Sequence, residues 1–297
     1  MSEDSLVDTA SDLRVLHRQA APPLAVSVDF AARTHPGLVR SNNEDNFHVV
    51  RFGRYLRTLA SSLQGDEPPK DYEQPAYGFA VADGMGGHAA GEIASRTAIS
   101  LFVDFVLQTP DWVLGREADL LARVMERTAQ RFHAVNQSLI AQARATPGMS
   151  GMGTTLSMGI SMGDALIVAH VGDSRIYLYR EGRLQRLTTD HTVAEERRDI
   201  DPAAARFRHV LTRAIGIPDT GGGPEVKQFR LTDGDRLLLC TDGLSDMVGD
   251  EALARELGRG RSADDTTRTL IELALAAGGR DNVTAVVADH HFPPAVV

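Results

Sequence analysis

The stretch YGFAVADGMGGHAAGEIAS, residues 77–95, changes abruptly from an apolar run to a glycine-rich turn and then to a helical pattern. The run carries Tyr77, Phe79 and Val81 at alternate positions and has the length of a buried strand. Asp83 therefore lies at the tip of a strand. The glycines that follow let the backbone approach a ligand closely, so the Gly84 carbonyl is a second candidate ligand there.

An Asp–Gly pair also marks ordinary tight turns, so the meaning of Asp83 depends on other acidic residues. Paired antiparallel strands bring the end of one strand beside the start of the next, so acids at strand ends are expected at one rim. Four or more carboxylates there would repel one another unless cations lay between them. Ligands that are all oxygen favour Mg²⁺ or Mn²⁺ over Zn²⁺. The other acids beside apolar runs that are candidates for this rim are Glu44, Asp45, Asp173, Asp242 and Asp281.

The composition argues against several classes of protein. The 297-residue chain has a formal net charge of −9 and no basic stripe, which disfavours a nucleic-acid partner. The single cysteine, Cys240, lies in an apolar run typical of a core, and one thiol cannot form an intramolecular disulfide. The N-terminal residues have neither a basic start nor an apolar segment, and no run of about eighteen apolar residues occurs. We therefore expect a cytoplasmic protein with no membrane partner.

The chain is expected to form one large domain over residues 24–290, with a flexible polar arm at residues 1–23 and a tail at residues 291–297. Residues 53–75 change in composition and end in a linker-like segment, which predicts a surface insertion with a short helix. The polar, basic segment 186–213 predicts two weak helical pieces that lie over the surface as a flap.

Three long helical patterns cover residues 89–107, 117–144 and 263–277. The apolar runs between them predict antiparallel strands. The first helix is apolar on more than one side, as expected of a helix that lies on a sheet. The first two helices follow each other directly and are predicted to be antiparallel neighbours.

Six motifs occur once each along the chain, in this order: RSNNEDN at 40–46, ADGMGGH at 82–88, GTT at 153–155, HVGDSR at 170–175, CTDGLSD at 240–246 and RDNVT at 280–284. Together they resemble the motifs of the metal-dependent protein phosphatase family called type 2C, in its bacterial form. One such motif is weak evidence, whereas six in the same order are specific. The resemblance implies an α+β fold, a β-sandwich of two mainly antiparallel sheets flanked by pairs of helices.

The resemblance also implies ligands for a first metal ion. Asp83 resembles the carboxylate that bridges two Mn²⁺ or Mg²⁺ ions, and Gly84 resembles the residue whose carbonyl binds one of them. Asp242 and Asp281 resemble the remaining protein ligands of the first ion.

Further positions match the second and third ions and the substrate site. Glu44 and Asp45 match acidic positions that hold the second ion through water. Asp173 matches the position that supports, with Asp242, a third and weaker ion in bacterial members. Arg40 resembles the arginine that binds the substrate phosphate.

The implied activity is hydrolysis of phosphoserine and phosphothreonine on proteins by a water that bridges two ions, which would counteract bacterial Ser/Thr kinases. Two alternatives stay open. One is a regulator that holds metal and binds phosphoproteins without hydrolysing them, although the retained acidic positions disfavour it. The other is a phosphatase for a small-molecule phosphomonoester.

The general acid is less defined by the resemblance. Animal members have histidine directly after the Asp–Gly pair, whereas bacterial members and this chain do not, and Met85 stands there. The acid is then a metal-bound water, or His88 if that side chain turns back from the helix start, where capping is its other role. His191 is expected to shape the flap or contact substrate. Three polar motif residues are expected to support their neighbours: Asn46, Thr155 and Ser174.

Overall fold

A computed structural model describes residues 26–62, 71–86, 89–108, 117–218 and 223–293 of the chain. The predicted arm and most of the predicted tail lie outside these residues, as does His88.

The described strands form two antiparallel sheets. In chain order they are β1 (Ser27–His35), β2 (Asp45–Arg57), β3 (Asp71–Met85), β4 (Gly153–Thr154), β5 (Leu156–Met162), β6 (Ala165–Val171), β7 (Arg175–Arg180), β8 (Arg183–Arg186), β9 (Glu225–Arg230), β10 (Arg236–Cys240) and β11 (Val283–His291). The first sheet has the order β1-β11-β10-β7-β8. The second has the order β2-β3-β5-β6-β9, with the short β4 paired to β3.

The three predicted long helices are confirmed to within one residue at each end. The described helices are α1 (Ala89–Gln108), α2 (Glu117–Ala145), α3 (Val193–Glu196), α4 (Asp242–Ser245), α5 (Asp250–Leu257) and α6 (Ala263–Ala276), with a 3₁₀ helix at Pro202–Phe207. The sequence reading did not predict α4 and α5. None of the described helices is both long and apolar enough to cross a bilayer.

The central strands are buried on both faces, which is why their sequences are continuous apolar runs. In β10, Leu237 and Leu239 pack into the core between the two sheets. The intervening Leu238 and Cys240 face the opposite way, into the core beneath the helices. Alternate residues of β10 are therefore buried in two separate hydrophobic cores, one on each face of the sheet.

The two sheets and their helices form four layers. Phe79 and Leu166 of the second sheet pack between the sheets with residues of the first. On the outer face of the second sheet, α1 and α2 meet through Phe102 and Phe132, whose rings make an edge-to-face contact with centroids 5.6 Å apart. The outer face of the first sheet is covered by α5 and α6. The predicted sandwich with flanking helix pairs is confirmed.

The short helix predicted inside residues 53–75 is wrong for the part that the structure describes. Strands β2 and β3 stay paired from Asp45 opposite Asp83 out to Arg57 opposite Asp71, so this region lengthens a hairpin. Tyr55 is 72% exposed and Leu59, beyond the strand, is 91% exposed. Their apolar spacing therefore does not mark a buried helical face.

The flap segment, residues 186–213, contains the two weak helical pieces expected from its sequence. Helix α3 comes first, and the 3₁₀ helix begins at Pro202, with the Asp201 side chain accepting a hydrogen bond from the Ala203 N–H. The start of the flap is tied to the turn after β6, because His191 and Gly172 are joined by two hydrogen bonds. The His191 N–H donates to the Gly172 carbonyl at 2.7 Å, and the Gly172 N–H donates to His191 Nδ1 at 3.2 Å.

Candidate metal centre

Strand β3 carries Asp83 to the rim of the second sheet and fixes its backbone there. The Asp83 N–H donates to Thr155 Oγ1 at 2.9 Å, and the Asp83 carbonyl accepts from the Thr155 N–H at 2.8 Å. In the following turn, Gly86 has a φ of 130°, a backbone conformation that favours glycine. Gly84 does not have a positive φ.

Two further acids approach from the first sheet. Asp242 begins α4 directly after β10, and Asp281 precedes β11. Their loops touch: a Cβ atom added to Gly243 would lie 1.9 Å from the Asn282 carbonyl oxygen. Because this approach is so close, the two loops hold Asp242 and Asp281 at one end of the sandwich.

One cavity of about 1050 Å³ lies where these loops meet. Seven of the eight residues predicted for the metal and phosphate sites line it: Arg40, Glu44, Asp83, Gly84, Asp173, Asp242 and Asp281. The eighth, Asp45, is buried beside the cavity, and its Oδ2 accepts a hydrogen bond from Thr241 Oγ1 at 2.8 Å. Side chains far apart in sequence are thus brought together as the strand-end pattern predicts.

The buried carboxylates of this cluster repel one another. Burial, followed by repulsion from neighbouring acids, raises the pKa of Asp45 to about 7 and that of Asp242 to about 6, although hydrogen bonds oppose part of the shift at Asp45. The same two causes raise the pKa of Asp83 and Asp173 well above the ordinary value. Such groups are stabilised either by protons or by cations placed among them.

The donor set fits divalent metal ions. Oδ1 of Asp45 and Oδ1 of Asp242 are buried and have no hydrogen-bond partner in the part of the chain that the structure describes. A buried oxygen of this kind is costly unless something binds it. The converging groups are oxygen donors, which Mg²⁺ and Mn²⁺ prefer.

Arg40 lies at the mouth of the cavity and is paired with one of the acids. Its Nη2 donates to Asp281 Oδ2 at 2.7 Å, while the Asn282 N–H donates to Asp281 Oδ1 at 2.9 Å. The Arg40 side chain is 58% exposed, so a ligand can reach it.

The predicted supporting residues form hydrogen bonds close to the acids. Thr155 Oγ1 and Ser174 Oγ lie 2.7 Å apart, next to the Asp83 and Asp173 turns. The Asn46 amide donates to Ser95 Oγ at 2.9 Å. Ser95, which the sequence reading missed, in turn donates to the Glu44 carbonyl at 2.6 Å.

Three other residues at the cavity were missed from sequence. The Asn282 amide joins the first loop to the last, because its Oδ1 accepts from the Glu44 N–H at 2.8 Å and its Nδ2 donates to the Asn42 carbonyl at 2.8 Å. Asp246 and His209 also line the cavity. Asp246 follows Asp242 by four residues, and this helical spacing was the available signal. His209 lies in the flap and carried no such signal.

Comparison with known proteins identifies close relatives. A family model described as Protein phosphatase 2C matches residues 70–276. The serine/threonine protein phosphatase PstP of Mycobacterium tuberculosis is 38% identical over 266 residues, which is 88% of this chain but 44% of that protein. The serine/threonine phosphatase stp of Listeria welshimeri is 32% identical over 268 residues, 88% of this chain and 95% of that protein.

A solved structure of the PstP catalytic domain in complex with two manganese ions has a TM-score of 0.67 to this chain. It is 36% identical and covers 90% of this chain and 99% of that chain. This chain therefore spans less than half of full-length PstP while matching nearly all of its solved catalytic domain.

Proposed function

The chain belongs to the protein phosphatase 2C family, and from this membership we propose that it hydrolyses phosphoserine and phosphothreonine on proteins with the help of Mn²⁺ or Mg²⁺. The observation that carries the proposal is the convergence of Asp83, Asp173, Asp242 and Asp281, from four separate segments of the chain, on one cavity. The manganese-bound PstP catalytic domain supports the choice of metal.

We assign the ligands as the motifs suggest. Asp83 would hold two ions at once, with the Gly84 carbonyl beside it. Asp242 and Asp281 would complete the protein ligands of one ion. Glu44, which lines the cavity, would hold the other ion through water.

Two acids have more peripheral roles in this proposal. Asp45 is buried beside Asp83 and would act on the second ion through water rather than from the cavity wall. Asp173 would hold a third, weaker ion together with Asp242. The buried, unpartnered Oδ1 atoms of Asp45 and Asp242 support a cation in each neighbourhood.

Such ions, when bound at these residues, would supply an activated water and would stabilise the charge that develops in an in-line displacement at phosphorus. The residues of this chain orient the phosphate. Arg40 presents a planar fork that can bind two phosphate oxygens at once. Since Asp281 pairs with Arg40 through Nη2, a cation on Asp281 would free that nitrogen for substrate.

The physiological substrates would be phosphorylated proteins, and the enzyme would counteract a Ser/Thr kinase in the cytoplasm. Turnover should be compared on a phosphorylated protein, a phosphopeptide and p-nitrophenyl phosphate, with Mn²⁺ and with EDTA. Turnover of the protein substrate supports the proposal. Binding without turnover would identify a regulator, and turnover of small esters alone would identify a small-molecule phosphatase.

Removal of divalent metal is expected to abolish turnover and to lower the stability of the folded chain. Cations that bind only the folded state stabilise it by about 2.7 kcal/mol when present at about 100 times their dissociation constant. Thermal unfolding in EDTA and in Mn²⁺ measures this stabilisation. Equal melting temperatures in the two conditions, with turnover unaffected by EDTA, would contradict a metal centre.

Substituting Arg40 by alanine is expected to raise KM about tenfold to a hundredfold, because charge-assisted hydrogen bonds to the phosphate contribute about 1.5–3 kcal/mol. The Arg40→Lys variant is the matched control, since lysine keeps the charge but not the planar fork. Steady-state kinetics on p-nitrophenyl phosphate at saturating Mn²⁺ give KM and kcat separately. An unchanged KM in Arg40→Ala would remove the phosphate-binding role.

A further inference from the structure

The first residues of the flap are held against the loop that joins β6 to β7. Arg175, at the start of β7, binds both carboxylate oxygens of Asp190, with Nε 3.0 Å from Oδ1 and Nη2 2.7 Å from Oδ2. The His191–Gly172 pair, one residue further along the flap, joins the backbones of the two segments. The position of the flap base, residues 189–191, therefore depends on this loop.

The third contact of the flap base comes from His170, a fully buried histidine near the end of β6. Its Nε2 lies 3.1 Å from the Thr189 carbonyl oxygen, which can only accept a hydrogen bond, so Nε2 carries the ring hydrogen. Its Nδ1 lies 2.8 Å from Ser157 Oγ. Burial, followed by the nearby His191, lowers the pKa of His170 to about 3, so the ring is neutral and Nδ1 accepts from the Ser157 hydroxyl.

The same histidine is connected to the backbone of the Asp83 turn. Ser157 Oγ also lies 3.0 Å from the Ser174 carbonyl oxygen. Ser174 Oγ in turn lies 2.7 Å from Thr155 Oγ1, the atom that accepts from the Asp83 N–H. The imidazole of His170 therefore lies between the flap base on one side and the backbone of a proposed metal ligand on the other.

We propose that His170 is a positioning residue that holds the flap base in register with the metal centre. Besides the bond to Thr189, its ring packs against that of His191, with centroids 4.8 Å apart and planes at 32°. Further along the flap, Arg208 and Val210 line the cavity. A phosphopeptide extends beyond its phosphate and would contact this wall, so a displaced flap base would weaken peptide binding. The inference rests on the proposed function only through this effect on substrate binding.

Hydrogen exchange of residues 189–213, measured by mass spectrometry on the metal-free chain, tests the link without any turnover. The His170→Asn variant keeps an amide near the position of Nδ1 but cannot reach Thr189, whereas His170→Gln places a donor near the position of Nε2. We expect exchange to be about threefold to tenfold faster in His170→Asn, because loss of one buried hydrogen bond favours local opening by about that factor. His170→Gln should exchange like the wild type.

The Ile167→Ala variant is the matched control for a general loss of core packing. Ile167 lies on the same strand, and its side chain is buried with Val124 of α2, away from the flap. Its flap should exchange at the wild-type rate, since local opening does not require global unfolding. Equal flap exchange in His170→Asn and Ile167→Ala would overturn the proposal, and so would a His170→Gln chain that exchanges as fast as His170→Asn.

A second variant tests the same link if circular dichroism shows that His170→Asn does not fold. Ser157→Ala keeps the histidine and removes the hydroxyl that orients its ring. Flap exchange should again be faster than in Ile167→Ala, and an equal rate would count against His170 as the positioning residue.

A further readout is the KM of a phosphopeptide relative to the KM of p-nitrophenyl phosphate at saturating Mn²⁺. This ratio should rise about threefold or more in His170→Asn and return to the wild-type value in His170→Gln. An unchanged ratio would remove the role in substrate binding. Absence of turnover in the wild type would remove the proposed function and leave the exchange result in place, whereas turnover with unchanged flap exchange in His170→Asn would remove this inference alone.

Discussion

The Asp83→Asn variant is expected to lose metal-dependent turnover by at least about a thousandfold, the upper part of the range for removing one group that stabilises developing charge. Asparagine keeps the size of the side chain and one oxygen, but it removes the negative charge assigned to both catalytic ions. The measurement is kcat on p-nitrophenyl phosphate across a Mn²⁺ titration.

The stability of the Asp83→Asn chain shows whether the substitution removes metal binding or unfolds the protein. In the metal-free chain, Asp83→Asn removes a carboxylate that burial and the neighbouring acids Asp45 and Asp242 destabilise, so unfolding should not become easier. The rise in melting temperature on adding Mn²⁺ should disappear. Asp104→Asn, at an exposed position on α1, is the matched control and should retain both turnover and the Mn²⁺ effect. Full metal-dependent activity in Asp83→Asn would refute the assignment.

The strands of this fold could be predicted because a buried strand has an apolar sequence that is visible within a few residues. In a strand such as β10, which is covered on both faces, the residues from Leu237 to Cys240 are all apolar, and the buried Arg236 at its start is paired with Asp289. The long helices α1, α2 and α6 carry an equally local pattern. The arrangement of the strands in a sandwich was predicted only from the resemblance of the ordered motifs to a known family. Local patterns do not predict strand order, because it depends on contacts between distant residues.

The 53–75 region was misread because the deciding interaction is not local. Tyr55, Leu56 and Leu59 have a spacing that a short helix could use, but residues 53–57 find their backbone partners in residues 71–75 of β3. Cross-strand pairing satisfies those backbone groups and leaves the apolar side chains largely exposed. Nothing in the sequence of residues 53–57 indicates that they pair with residues 71–75.

The acidic cluster was predictable for the same reason as the sheets. Asp83 and Asp242 each end an apolar run, so their location follows from the strands themselves. His209 lies in an irregular segment whose course over the cavity depends on tertiary contacts such as the His191–Gly172 pair. Its approach to Asp246 could therefore be found only in the folded chain.

The Gly84→Ala variant is expected to destabilise the chain by about 3 kcal/mol or more and to weaken Mn²⁺ binding. A Cβ atom at Gly84 would lie 2.0 Å from the Gly91 carbonyl oxygen and 2.9 Å from the Glu44 carbonyl oxygen. Both obstacles are backbone atoms that cannot rotate away, so the cost should reach the upper part of the about 1–3 kcal/mol usual for overpacking. The backbone would have to shift between Asp83 and Glu44, both of which line the cavity.

Chemical denaturation of the metal-free chain measures the stability change, and a Mn²⁺ titration followed by melting temperature measures the binding. Gly249→Ala is the matched control, because its φ is −68° and an added Cβ would meet nothing within 4 Å. That substitution should change stability by no more than about 0.5 kcal/mol, as surface changes usually do. If only Gly84→Ala is destabilised, the cause is the close approach of the Gly91 carbonyl, because an added Cβ at Gly249 has no such neighbour. The Gly84→Ala chain could instead be as stable as Gly249→Ala and bind Mn²⁺ equally well. That result would show that helix α1 does not pack closely against the turn that follows Asp83.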